Sequence, residues 1–145
     1  MPACTDTVVR RTRLLPILAR ILLLSVLLPA GGAALALPPA TQQVLVEAVE
    51  AAAALDFYNA RCRSDGSGRH SNDLNKLLVN KLRLTIVTVE DEMFPERNYR
   101  AVQQRLLEQS AALLADGCKA AKEGVLAEQL KDRYRKGVAA VEALP

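Results

Sequence analysis

Apolar side chains recur at steps of three and four residues along four stretches of the chain after residue 40. This spacing gathers them on one face of an α-helix, and prolines and glycines separate the stretches. The predicted helices cover residues 41–62, residues 71–94, the stretch from Pro95 to a stop at Gly117, and the stretch after Gly124. The segment "LTIVTV" within the second stretch favours a strand when taken alone, but the apolar stripe continues through it in phase, so we expect one unbroken helix there.

Four helices of about 20 residues joined by short connections predict an all-α fold, a small antiparallel four-helix bundle formed by residues 37–145 as a single domain. The first helix is rich in alanine, which favours helix and allows neighbouring helices to pack closely. Gly137 interrupts the apolar face of the last helix and predicts a close crossing. Phe57, Tyr58 and Tyr99 are expected in the core or at its rim.

The first 36 residues have the order of a secretory signal peptide. A basic stretch at residues 10–13 precedes an apolar run, and residues 34–36, Ala-Leu-Ala, match the small-x-small pattern of a cleavage site. Arg20 shortens the apolar run, which favours cleavage over the alternative, an uncleaved membrane anchor formed by residues 14–30. We therefore expect the protein to be periplasmic or secreted.

The leader also carries the excess positive charge. It holds four of the 19 basic residues and one of the 16 acidic ones, so 15 of each remain after cleavage. A net charge of zero gives no electrostatic basis for binding nucleic acid or an anionic membrane surface. No nucleic-acid partner is predicted, and contact with a membrane is expected only through an uncleaved leader.

Cysteine parity predicts one disulfide. Cys4 leaves with the leader, and Cys62 and Cys118 remain as a pair in a chain bound for an oxidising compartment. Cys62 ends the first predicted helix and Cys118 follows the third. These two C-termini lie at the same end of an up-down-up-down bundle, so the bond is sterically feasible. Two cysteines without a second nearby His or Cys cannot complete a tetrahedral zinc shell, and no metal site is predicted.

The segment "RCRSDGSGRH", residues 61–70, concentrates basic side chains around a glycine-containing turn. Arg61, Arg63, Arg69 and His70 flank this turn. Two interpretations stay open: a solvated connection whose basic residues complement the dipole of the preceding helix, or a contact for an acidic partner. Asp65, Ser67 and His70 lie in one flexible loop and cannot be preorganised as a triad, so no catalytic residue is predicted.

A second charged cluster, "VEDEMFPERNYR", combines acids and arginines at residues 89–100. Consecutive helical residues diverge by about 100°, so its acids cannot converge on one calcium ion. The pattern predicts a solvated helix end with Glu96 paired to Arg100, or alternatively a partner contact. The candidate contact residues in this cluster are Glu90, Asp91, Glu92, Arg97 and Arg100.

Export, a disulfide and a helical body without a catalytic constellation favour a non-enzymatic protein that binds an envelope or secreted protein, as an inhibitor, an immunity-type factor or an accessory factor. The alternative is a carrier of a small ligand or metal in a bundle cavity. That alternative requires a buried polar cluster or a cavity of about 300 Å³ or more. The haem-attachment motif CxxCH is absent from the sequence and no cofactor is predicted.

Overall fold

The computed structural model describes residues 37–145, and the predicted signal peptide lies outside this range. The described residues form six helices and no strand, which confirms the all-α prediction. The helices are α1 (Pro39–Cys62), α2 (Arg69–Leu82), α3 (Ile86–Glu92), α4 (Tyr99–Leu113), α5 (Gly117–Glu123) and α6 (Leu126–Ala143).

Helix α1 lies at the centre of the fold. The longer helices α2, α4 and α6 all pack against it, whereas no Cα atom of α4 comes within 8 Å of one in α2 or α6. Most residues of α1 from Ala48 to Leu55 are buried, because a helix that is apolar on several sides must be covered on several sides. The ring of four neighbouring helices that a simple four-helix bundle requires is therefore not confirmed.

Two apolar clusters form the core, one with α1 residues 45–52 and the other with α1 residues 54–62. The larger one joins α1 to α2, α3, α4 and α6, and Phe94 and Leu74 are among its fully buried members. The smaller one surrounds Cys62 and includes Tyr58 and Leu130. Of the aromatic residues expected in the core or at its rim, Tyr58 is buried and Tyr99 is 43% exposed.

The prediction of one unbroken helix over residues 71–94 is wrong, although no strand forms there. Arg83 ends α2 in the left-handed conformation with φ of 59°. Thr85 then caps α3, because its hydroxyl accepts a hydrogen bond from the Thr88 N–H at 3.1 Å. The Asn75 side chain accepts a second bond from the Ile86 N–H at 2.9 Å. These side chains satisfy the free N–H groups at the start of a new helix, which makes the break possible.

The predicted disulfide between Cys62 and Cys118 is confirmed, with the two Cα atoms 5.2 Å apart. The sequence pattern places a helix stop at Gly117, and in the structure this glycine instead begins the short helix α5. Through α5, Cys118 reaches the last residue of α1.

Residues 37–145 form one compact unit. None of the helices within them is both long enough and apolar enough to cross a lipid bilayer. The disulfide is compatible with an oxidising compartment outside the cytosol.

Candidate ligand-binding groove

A groove lies over α1 where α2 and α4 fail to meet. Its volume is about 380 Å³. The walls come from five parts of the chain: α1, the loop before α2, the first turn of α2, α3 and α4. Small residues such as Ala53 and Gly68 leave the space open, and Val49, Phe57 and Leu106 make much of its surface apolar. The groove is therefore lined by residues from both charged segments described above: Gly66 and Gly68 belong to residues 61–70, and Glu90 belongs to residues 89–100.

Two buried polar residues line this groove, Ser110 and Glu90, and only 1% of Glu90 is exposed. Gln103 donates a hydrogen bond from Nε2 to Glu90 Oε1 at 2.5 Å. The second oxygen, Oε2, is buried and has no hydrogen-bond partner among residues 37–145. The prediction of a solvated helix end is therefore wrong for Glu90, because the break at residues 83–85 starts α3 afresh and buries Val89 and Glu90.

Burial also changes the acidity of this carboxyl group. Loss of solvent raises the pKa of Glu90 above its ordinary value, and the charge of Asp91 raises it further. The hydrogen bond from Gln103 acts in the opposite direction. A buried carboxylate without a basic partner is unfavourable, so the ionised form of Glu90 is disfavoured.

Asp56 is the other carboxylate that lines the groove, and its oxygens are already occupied. Oδ1 accepts from the His70 N–H at 3.1 Å, and Oδ2 accepts from the Ser71 N–H at 2.8 Å. Oδ1 also lies 2.7 Å from His70 Nδ1. Asp56 of α1 thus caps the N-terminus of α2. Gly68, the residue at the cap position, has no side chain that could do so.

The structure places the candidate residues of the loop in two different environments. Arg61, Arg63 and Arg69 are exposed, and none of them forms an ion pair with another described residue. His70 is only 17% exposed at its side chain, and its ring packs edge-on against Tyr134. His70 therefore has a structural position, whereas Arg63 and Arg69 are exposed at the surface and the Arg61 guanidinium group lies over the Phe57 ring, 5.6 Å from its centroid.

Within the same loop, Asp65 folds back on its neighbours. Its Oδ1 accepts a hydrogen bond from the Ser67 N–H at 3.1 Å. Interaction with the Ser67 side chain, together with this backbone hydrogen bond, lowers the pKa of Asp65. His70 pairs with Asp56 rather than with Asp65 or Ser67. The three residues are accordingly not aligned as a triad.

The candidates at residues 90–100 are also divided. Glu92, Arg97 and Arg100 are exposed. Asp91 accepts a hydrogen bond from the Tyr99 N–H at 2.6 Å and so helps to begin α4. The predicted pairing of Glu96 with Arg100 is wrong.

Glu96 instead lies 2.7 Å from Arg105 Nε, which the compact turn before α4 brings close. Arg105 also extends towards α1, where its Nη1 donates to Glu50 at 3.2 Å. The turn between α3 and α4 is therefore tied to the central helix through one arginine.

The sequence did not single out Asp56, Gln103 or Ser110 as site residues, although all three line the groove. The one available signal was the position of Glu90, four residues after Ile86 on an otherwise apolar helix face. In residues 37–145 no three His, Cys, Asp or Glu side chains come together in a way that would hold a metal ion. No protein-family model, curated protein or solved structure matches this chain.

Proposed function

We propose that this protein is a non-enzymatic binding protein that holds a small, largely apolar ligand in the groove over α1. The observation that carries the proposal is the buried Glu90 Oε2, which lacks a hydrogen-bond partner within the described residues at a groove of about 380 Å³. Buried polar atoms in folded proteins are nearly always paired, and an unpaired one calls for an external donor. A ligand in the groove supplies that donor.

The composition of the groove supports the same function. Ligand pockets are mostly apolar, have volumes of about 300–1,000 Å³, and contain a few polar groups that orient the ligand. Here Val49, Phe57 and Leu106 provide apolar surface, while Glu90 and Gln103 provide the polar groups. The carboxyl group with a pKa raised by burial is the kind of perturbed group that marks binding sites.

The proposal is tested by a nuclear magnetic resonance titration of the disulfide-bonded protein with a library of small, single-ring compounds. The expected result is a set of compounds that shift the amide signals of residues lining the groove, such as Ala53 and Leu106. Ala53→Leu fills the groove and should abolish these shifts. Ala112→Leu is the matched control, because Ala112 is exposed on α4 and does not line the groove.

Two results would overturn the proposal. One is a library in which no compound shifts the groove signals. The other is binding that Ala53→Leu leaves unchanged while the variant retains the thermal unfolding temperature of the parent. Either would mean that the groove holds only water.

Binding of a protein partner is a second candidate function, favoured by the exposed basic loop. Arg61 and Arg63 flank the disulfide-bonded Cys62, and Arg69 directly precedes the residues that Asp56 contacts at the start of α2. Held in this way, exposed guanidinium groups lose less conformational freedom when they bind carboxylates. An acidic segment of an envelope or secreted protein is the matching partner.

This second candidate is tested by affinity capture from an envelope and secreted extract, followed by a binding measurement with the purified partner. The Arg61/Arg63/Arg69→Ala variant should lose binding. A Lys119/Lys122→Ala variant, which changes exposed basic residues of α5, is the control. Equal binding by both variants would rule out the loop as the contact.

Export of the protein completes the proposal. The disulfide and the leader-like first 36 residues support an oxidising destination, periplasmic or secreted. Mass spectrometry of the protein recovered from its source is expected to find an N-terminus at Leu37. Recovery of the intact leader in a membrane fraction would instead favour the anchored form.

A further inference from the structure

The ionisable side chains that line the groove in residues 37–145 are both acidic. Asp56 and Glu90 are its two ionisable residues, and no Lys, Arg or His is among the described residues that line it. Asp56 is occupied by His70 and Ser71, so Glu90 is the carboxyl group with acceptor capacity left. The charge of the site therefore complements a cation and opposes an anion.

The surroundings of Glu90 amplify this preference. Its carboxyl group is buried beside apolar walls, where a charge-charge interaction is screened much less than in water. A hydrogen bond between ionised partners is roughly twice as strong as a neutral one. A positively charged donor would stabilise the ionised carboxylate, which burial and the charge of Asp91 otherwise disfavour.

From this arrangement we infer that the ligand is a small organic ammonium ion with an apolar body, whose N–H group donates to the Glu90 carboxylate after a turn of this buried side chain brings Oε2 to the groove. The inference rests on the proposed function, because it assumes that the groove is a ligand site. Its volume of about 380 Å³ is near the lower end for ligand pockets. The apolar walls at Val49, Phe57 and Leu106 fit an aryl or short alkyl body.

The geometry also explains why the ammonium group would be held by one oxygen. Gln103 Nε2 donates to Oε1, which keeps the carboxyl group in place and leaves Oε2 without a donor among residues 37–145. Gln103 is thus a positioning residue for the carboxylate.

The test compares three probes with the same ring and different charge: 2-phenylethylammonium, 2-phenylethanol and 3-phenylpropanoate. Each is titrated into the disulfide-bonded protein at neutral pH, and dissociation constants are taken from the amide shifts of groove residues. We expect the ammonium ion to bind about tenfold more tightly than the alcohol, because a charge-assisted hydrogen bond is the stronger one. The propanoate should bind most weakly.

Glu90→Gln keeps the size of the side chain and removes its charge, so it should bring the ammonium ion and the alcohol to nearly equal affinity. Glu92→Gln makes the same chemical change at an exposed position two residues further along α3 and should preserve the tenfold difference. Thermal unfolding checks that both variants are folded. The comparison of the three probes on the unmodified protein does not depend on either variant.

The outcomes separate the inference from the proposed function. If the alcohol binds the groove as tightly as the ammonium ion, the groove is a ligand site but the ligand class is wrong. Tighter ammonium binding that Glu90→Gln leaves intact would place the cation elsewhere and overturn the inference. If none of the three probes shifts the groove signals, the inference is wrong, and the compound library decides separately whether the groove is a ligand site.

Discussion

Gly137 of α6 lies against Ala48 of α1 so closely that a Cβ atom added to the glycine would come within 3.1 Å of the Ala48 Cα. The neighbouring atom belongs to the backbone of the central helix, which cannot move aside as a flexible side chain can. This contact is the close crossing that the position of Gly137 predicts from the sequence. It sets the distance between the two helices that share the most contact in the described fold.

Gly137→Leu is expected to destabilise the protein by about 1–3 kcal/mol, because the larger side chain forces α1 and α6 apart. The gain in helix propensity of about 1 kcal/mol offsets only part of this cost. Urea unfolding followed by circular dichroism measures the change. Ala139→Leu, at an exposed position of the same helix, should stay within about 0.5 kcal/mol of the parent. An equal effect of the two substitutions would contradict the close crossing.

Asp56→Ala should destabilise the protein by about 1–3 kcal/mol, because it removes the acceptor for the His70 and Ser71 N–H groups at the start of α2. Amide hydrogen exchange should increase most in the first turn of α2. Asp73→Ala is the control, since the Asp73 side chain is half exposed and pairs only with Lys76. If both variants unfold alike, the capping role of Asp56 is refuted.

Glu90→Gln should change how stability depends on pH. Burial raises the pKa of Glu90 in the folded state above the ordinary value of 4.5 that applies in the unfolded state. Between the unfolded-state pKa and the folded-state pKa, the folded protein binds more protons than the unfolded chain. The stability of the unmodified protein therefore falls as the pH rises through this window. The variant has no carboxyl group at this position and should lose this part of the dependence.

Urea unfolding of both proteins at several pH values, from about pH 4 to about pH 7, measures the difference. The stability advantage of Glu90→Gln is expected to grow with pH across the window and then to remain constant. Glu92→Gln should follow the unmodified protein, because Glu92 is exposed. Parallel curves for all three proteins would mean that Glu90 titrates normally.

Replacing both cysteines, Cys62→Ala with Cys118→Ala, should cost about 2–5 kcal/mol of stability, because the bond closes a long loop in the unfolded chain. Helix α5 should lose its structure more readily than the other helices, because a helix of seven residues is not stable in water without tertiary contacts. Hydrogen exchange in residues 117–123 is therefore expected to increase more than in α2. A control in which reductant lowers the stability of the parent but not of the variant would assign the effect to the disulfide.

The sequence alone determined the helical class, the disulfide partners and the close crossing at Gly137. Each of these depends on local information: the spacing of apolar residues predicts helix, the number of cysteines predicts their pairing, and a glycine inside a helix face predicts close approach. The break between α2 and α3 escaped prediction because the apolar stripe continued in phase. Its determinants are one local cap, Thr85, and one side chain eleven residues away, Asn75.

Only the tertiary structure decided which faces are covered and by what. A helical stripe specifies an apolar side but not its neighbour, so the central position of α1 and the gap between α2 and α4 could not be read from periodicity. The same is true of Glu90, which stands among acids in the sequence and is buried in the fold. Its environment depends on α1 and on Gln103 of α4, and such long-range contacts are set by the packing of the whole domain rather than by any local pattern.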